Sequence, residues 1–217
     1  MRFARRLVLA AAMFHAGLAG AATPEQLASF FRAVQVDNPK LVAEMVGKTV
    51  NANQINPVGG EPALVLAVRE GSKGVLRVLL DHPGTDLEAE AINGNTALMM
   101  AAFKNDRAAA DTLLTRGARV NRAGWTPLHY AAAGGANEIA QLFIARKAKL
   151  DAVSPRASGA YTPLMMAARE GHDATVRLLL AAGADPRLKN GEGLTAAQIA
   201  ERAGRADIAK TIAAFKP

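Results

Sequence analysis

The sequence contains no cysteine. That excludes disulfides, thiolate metal sites, cysteine nucleophiles and lipid-modified cysteines. Aromatic residues make up 5% of the 217 residues, with one tryptophan and two tyrosines. Val and Ile are modest beside Ala and Leu, a balance that favours helices and argues against an all-β fold. There are four histidines, one of them at position 15, too few for a histidine-based metal site or a catalytic triad to be expected. No cofactor is expected. Downstream of the first 22 residues, no apolar run approaches the roughly 20 residues that a membrane-spanning helix needs.

The amino terminus has a different composition from the rest. Arg2, Arg5 and Arg6 precede the apolar segment Leu7 to Ala19, and "AGAAT" follows with small residues. This order predicts a secretory signal peptide over 1–22, cleaved after Ala21 or Ala22. The apolar segment, about 13 residues, is too short to span a bilayer. Arg5-Arg6 also fits a twin-arginine signal, but the general secretory route is expected, because nothing downstream resembles a cofactor site that must fold before export. Cleavage removes three Arg and no acid, lowering the formal charge from +7 to +4. Much of the basicity thus belongs to the leader, and no nucleic-acid partner is expected. The mature chain, 23–217, is expected as a monomer in the periplasm of a Gram-negative cell, or secreted further, with no membrane partner.

The remainder repeats itself. "GEPALVLAVREG" from Gly60, "GNTALMMAAFKN" from Gly94, "GWTPLHYAAAGG" from Gly124, "AYTPLMMAAREG" from Ala160 and "GLTAAQIAERAG" from Gly193 align. Their third positions are Pro62, Thr96, Thr126, Thr162 and Thr195, spaced by 34, 30, 36 and 33 residues. Each unit continues with a second run at helical spacing, such as "VLRVLL" from Val75 or "TVRLLL" from Thr175. Between the two runs stands Gly71, Asn105, Gly135, Gly171 or Gly204, residues that accept the left-handed conformation ending a helix. Each unit is therefore predicted to be a helix–turn–helix hairpin. Thr is placed to cap the first helix, and Pro at the next position suits its first turn. His129, three residues after Thr126, is expected to bond back toward the cap and the adjoining loop.

These residues resemble the ankyrin repeat, with its G-x-T-P-L-H-x-A-A-x-x-G core and its G-A-D ending, seen in Gly117-Ala118-Arg119-Val120-Asn121 and Gly183-Ala184-Asp185. The resemblance covers about 190 residues, and repetition makes it specific. It implies an all-α solenoid of stacked helix–turn–helix units with finger loops, divided as 25–57 (a degenerate N-terminal cap), 58–91, 92–121, 122–157, 158–190 and 191–217 (the C-terminal cap). Lys147 departs from the pattern, standing where the family places Gly. The junction "VNRAGWT" is short and predicts a truncated finger; "LDAVSPRASGAYT" is long and predicts the furthest-projecting one.

Catalytic motifs fail on inspection. Gly191-Glu192-Gly193 lies between repeats with no preceding strand, and Gly47-Lys48-Thr49 lacks the earlier Gly of a phosphate loop, Val42 standing there. The pairs Met99-Met100 and Met165-Met166 occupy equivalent helix positions where packing is the expected role. The chain thus reads as a non-enzymatic protein-binding module. The resemblance implies docking on the finger loops and the concave face of the first helices, which selects Trp125, Tyr161, Phe103, Arg69, Lys104 and Arg169. Arg122 and Arg156, with Arg187 and Lys189, are expected to form a basic finger rim that steers an acidic protein partner. Similarity to exported bacterial ankyrin proteins further implies an accessory factor for a periplasmic catalase or peroxidase; a secreted host-directed effector is a separate alternative, which the cleavable signal disfavours unless a second secretion step follows.

Overall fold

The computed structural model describes residues 22–216. The expected leader, apart from Ala22, lies outside the described residues. Among the described residues, twelve α-helices follow one another in six hairpins: α1 (Pro24–Gln35) with α2 (Pro39–Met45), α3 (Ala63–Glu70) with α4 (Lys73–Asp81), α5 (Ala97–Phe103) with α6 (Arg107–Thr115), α7 (Pro127–Ala133) with α8 (Asn137–Ala145), α9 (Pro163–Glu170) with α10 (Asp173–Ala181), and α11 (Ala196–Arg202) with α12 (Ala206–Ala214). Each helix is short, seven to twelve residues, below the length at which an isolated helix is stable in water. Its stability has to come from neighbours.

Stacking supplies those neighbours. Phe30, Leu64, Leu98, Leu128 and Leu164 from the first helices, and Leu79, Leu113, Ile139, Phe143 and Leu179 from the second, are buried in one continuous core. Small residues set the spacing. The buried pairs Ala101-Ala102, Ala131-Ala132 and Ala167-Ala168 let α5, α7 and α9 approach closely. From α5 to α11 this first-helix row is in closer contact than the second-helix row, so the stack curves with the first helices inside. On the outer side a groove of about 330 Å³ opens between α4 and α6. Arg116 spans it, donating to the Leu80 carbonyl and the Asp81 carboxylate, each at 2.5 Å.

Local sequence starts and stops each helix as the pattern requires. Thr23, Thr96, Thr162 and Thr195 accept from the backbone amide three residues on. Pro24, Pro39, Pro127 and Pro163 open their helices, where the missing amide costs nothing. Between the helices of each hairpin, Asp37, Asn105 and the expected glycines all carry positive φ. Lys147 is left-handed as well, with φ 63°, at the place where Gly117 and Gly183 stand in neighbouring units.

A ladder of side chains binds the first five units in succession through backbone amides. The Asn53, Glu88, Asn121 and Asp151 side chains accept from the amides of Asp86, Arg119, Lys149 and Asp185. Asp37 accepts from the Gly74 and Val75 amides at the start of α4. Fingers vary in length around this ladder. Cross-loop bonds close Asn56–Glu61, Ala91–Asn95 and Asn190–Leu194, whereas the short 122–125 finger has none, as its truncation requires. The long finger, closed by Ser154 N–H to Tyr161 O, coils its extra residues into a 3₁₀ turn, Arg156–Ser158.

Candidate inner-face binding site

Capping chemistry at α7 places the central side chains. The Thr126 N–H donates to His129 Nδ1 (3.2 Å), and the Thr126 hydroxyl lies 2.8 Å from the same nitrogen. The hydroxyl thus also meets the ring, within a capping box formed by Thr126 and His129. Because a backbone N–H can only donate, Nδ1 must be the acceptor, so the proton sits on Nε2. Nε2 donates to the Tyr161 carbonyl of the next unit at 2.9 Å. The ring is 1% exposed. Burial pushes its pKa down to about 4, against the opposing pull of bonds to the Tyr161 and Ala152 backbones. His129 is a neutral link between units; the sequence pattern implied its bond toward the cap and the adjoining loop.

Trp125 packs edge-on against His129, with ring centroids 5.2 Å apart, and against Tyr130 at 6.3 Å. With Phe103, Ala133 and Met166 these rings line an apolar groove of about 170 Å³ across α5, α7 and α9. Phe103 is 64% exposed and forms one wall of this groove. The Tyr130 hydroxyl donates to Asn95 Oδ1 at 2.5 Å, and its partial burial raises its pKa, opposed by that bond and by nearby Arg122.

The remaining predicted residues fall into two other settings. Tyr161 is half-buried beside Arg169, whose guanidinium carbon lies 5.1 Å from the Tyr161 ring centroid, so this pair forms a second aromatic site apart from the Trp125 groove. Arg169 also pairs with Glu170 at 2.8 Å, and Arg69 with Glu61 and Glu70, each at 3.0 Å. Lys104 is exposed and makes no ion pair among the described residues. The expected basic rim is thinner than its four residues implied. Arg122 turns back to the preceding finger, donating to the Gly94 carbonyl at 2.7 Å and pairing with Glu90. Arg187 is held by Asp185, whose pKa falls to about 2 through that bond. Arg156 and Lys189 are exposed and make no ion pair among the described residues.

Sequence reasoning missed Tyr130 and Met166. Both stand four residues after the capping Thr, level with Met100 and Leu66, a row read as packing; the aromatic at Tyr130 was the available signal. Met99 and Met165 are core residues, 1% exposed. Among the described residues no three His, Asp or Glu side chains come together to hold a metal ion, and no helix is long and apolar enough to cross a membrane.

The sequence pattern of the family described as ankyrin repeats, three copies, matches residues 30–123, 83–154, 119–190 and 151–216. The chain belongs to the ankyrin-repeat family. Among relatives, the human transient receptor potential cation channel subfamily A member 1 is 29% identical over 70% of this chain and 14% of its own length. The mouse protein fem-1 homolog A-like is 37% identical over 47% of this chain and 15% of its own length. Human neurogenic locus notch homolog protein 4 is 43% identical over 42% of this chain and 5% of its own. The chain spans less than a sixth of the length of each of these three, so the likeness lies in the ankyrin repeats.

Proposed function

We propose that this ankyrin-repeat chain is a non-enzymatic protein-binding module that receives its partner on the inner face of the first helices, centred on the groove of Phe103, Trp125 and Tyr130. The observation that carries this reading is the groove itself, an apolar surface left open in the row where the helices are otherwise most tightly packed. Stacked short units make that surface preformed, which lowers the ordering cost of association. Aromatic side chains contribute disproportionately to such contacts. The Arg-headed, apolar, small-residue order of residues 1–22 supports delivery of the module to the periplasm of a Gram-negative cell.

Affinity capture from a periplasmic fraction tests the reading, using the expressed full chain beside a Phe103→Ala/Trp125→Ala double variant with unchanged helical circular dichroism. A protein retained by the wild type and lost by the variant is the expected result. Capture that ignores the double substitution contradicts the inner-face assignment, and recovery of the chain only as unprocessed precursor in the cytosol contradicts export.

A further inference from the structure

Resting on the binding-module reading, we infer that the inner face takes an extended acidic segment that seats one large apolar side chain between Phe103, Trp125 and Tyr130 and sets a neighbouring carboxylate against Lys104. The size of the groove decides the anchor. About 170 Å³ is the room for one leucine, methionine or phenylalanine side chain, and falls below the roughly 300–1,000 Å³ typical of small-molecule sites. The walls decide its polarity. The Tyr130 hydroxyl is committed to Asn95, and both His129 nitrogens are committed to Thr126 and Tyr161. With those groups occupied, the groove offers carbon surface and aromatic faces, and a polar anchor would lose its hydration without replacement.

Charge decides what flanks the anchor. Seven residues after each cap position the inner face carries Arg69, Phe103, Ala133, Arg169 and Arg202 in successive units. The apolar pair over the groove is thus bracketed by cations. The three arginines are each matched by a carboxylate: Arg69 by Glu61 and Glu70, Arg169 by Glu170, Arg202 by Glu192. Lys104, beside Phe103, has none among the described residues. The unmatched charge on the residue next to Phe103 is therefore positive, and it selects a carboxylate next to the anchor. Three aromatic rings also attract a quaternary ammonium through their faces, but Lys104 opposes a cation there. An anchor and a carboxylate presented together, along a face that crosses three units, call for extended main chain.

Trp125 is the sole tryptophan, so emission from the full chain reports the groove directly. The probes are the blocked pentapeptides Asp-Glu-Leu-Glu-Asp, Asp-Glu-Ala-Glu-Asp and Lys-Lys-Leu-Lys-Lys, and choline. The acidic leucine peptide is expected to change the emission at concentrations about tenfold or more below the other two peptides, a difference of about 1.4 kcal/mol. Lys104→Glu, at an exposed position, is expected to reverse the order of the acidic and basic peptides. Equal response to acidic and basic peptides overturns the charge assignment, response to choline alone replaces it with a cation cage, and no response at millimolar peptide overturns the proposal. A partner captured by the wild type and lost from Phe103→Ala/Trp125→Ala, with peptides silent, leaves the module reading standing and removes this one. Capture indifferent to the double variant removes both.

Discussion

At the third residue of the first helix, the end units of the stack carry glutamine, whereas units three, four and five carry Met99, His129 and Met165. Gln26 and Gln198 fold back on their own caps, accepting from the Thr23 and Thr195 amides at 2.8 and 2.9 Å. Met165 does so with its sulfur, 3.4 Å from the Thr162 amide. Met99 receives Arg122 from the following finger at 3.1 Å. His129 does both, accepting from its own cap and donating to the next unit. One position thus closes a helix at the edges of the solenoid, where a polar side chain meets water, and in two of the three middle units, at Met99 and His129, it reaches the next unit from a buried place. The same middle units carry the aromatic groove, so the tightest linkage and the candidate binding surface coincide at His129.

That contrast is broken hardest by His129→Ala. It leaves a cavity and strands both the Thr126 amide and the Tyr161 carbonyl, and is expected to destabilise the chain by about 2–4 kcal/mol in urea titration. His129→Met, which imports the solution of the adjacent units, keeps the volume and an acceptor for the cap but loses the bond to Tyr161; about 1 kcal/mol is expected. Lys147→Gly is expected to stabilise by about 0.5–1 kcal/mol, because a side chain at φ 63° is strained where glycine is not. Gln198→Ala should cost least, about 0.5 kcal/mol, since its cap is exposed and water replaces the lost bond. A Gln198→Ala effect matching that of His129→Ala would erase the distinction between edge and middle.

Much of this was legible in the sequence, for a physical reason. Each cap, turn and apolar row is a local choice repeated five times, so spacing alone places the turns at Asn105 and Gly171, and the resemblance to the family pattern places the anomalous Lys147. Pairings between units were not legible. Arg122 reads as a rim cation because nothing local reveals that Gly94, 28 residues earlier, accepts from it. Tyr130 stands in the row of Met100 and Met166, residues that read as packing in the sequence and that the structure buries. Whether such a row opens depends on the curvature of the stack and the size of each neighbour, and curvature is a property of many helices together. Tyr161 joined Trp125 in one sequence stripe, yet its stacking with Arg169 sets it apart.

The most direct measurement of the central claim is the urea stability of wild type and His129→Met, followed by Trp125 emission between pH 7 and pH 4. With a folded pKa of about 4 against an unfolded value near 6.5, the unfolded chain binds more protons across that window. Stability is therefore complete above about pH 6.5 and falls as the pH is lowered toward 4. The expected loss is about 3 kcal/mol, and the methionine variant, which has nothing to protonate at that position, should lack this component. Equal pH dependence in the two proteins would contradict the assignment of His129 as the buried neutral link at the centre of the solenoid.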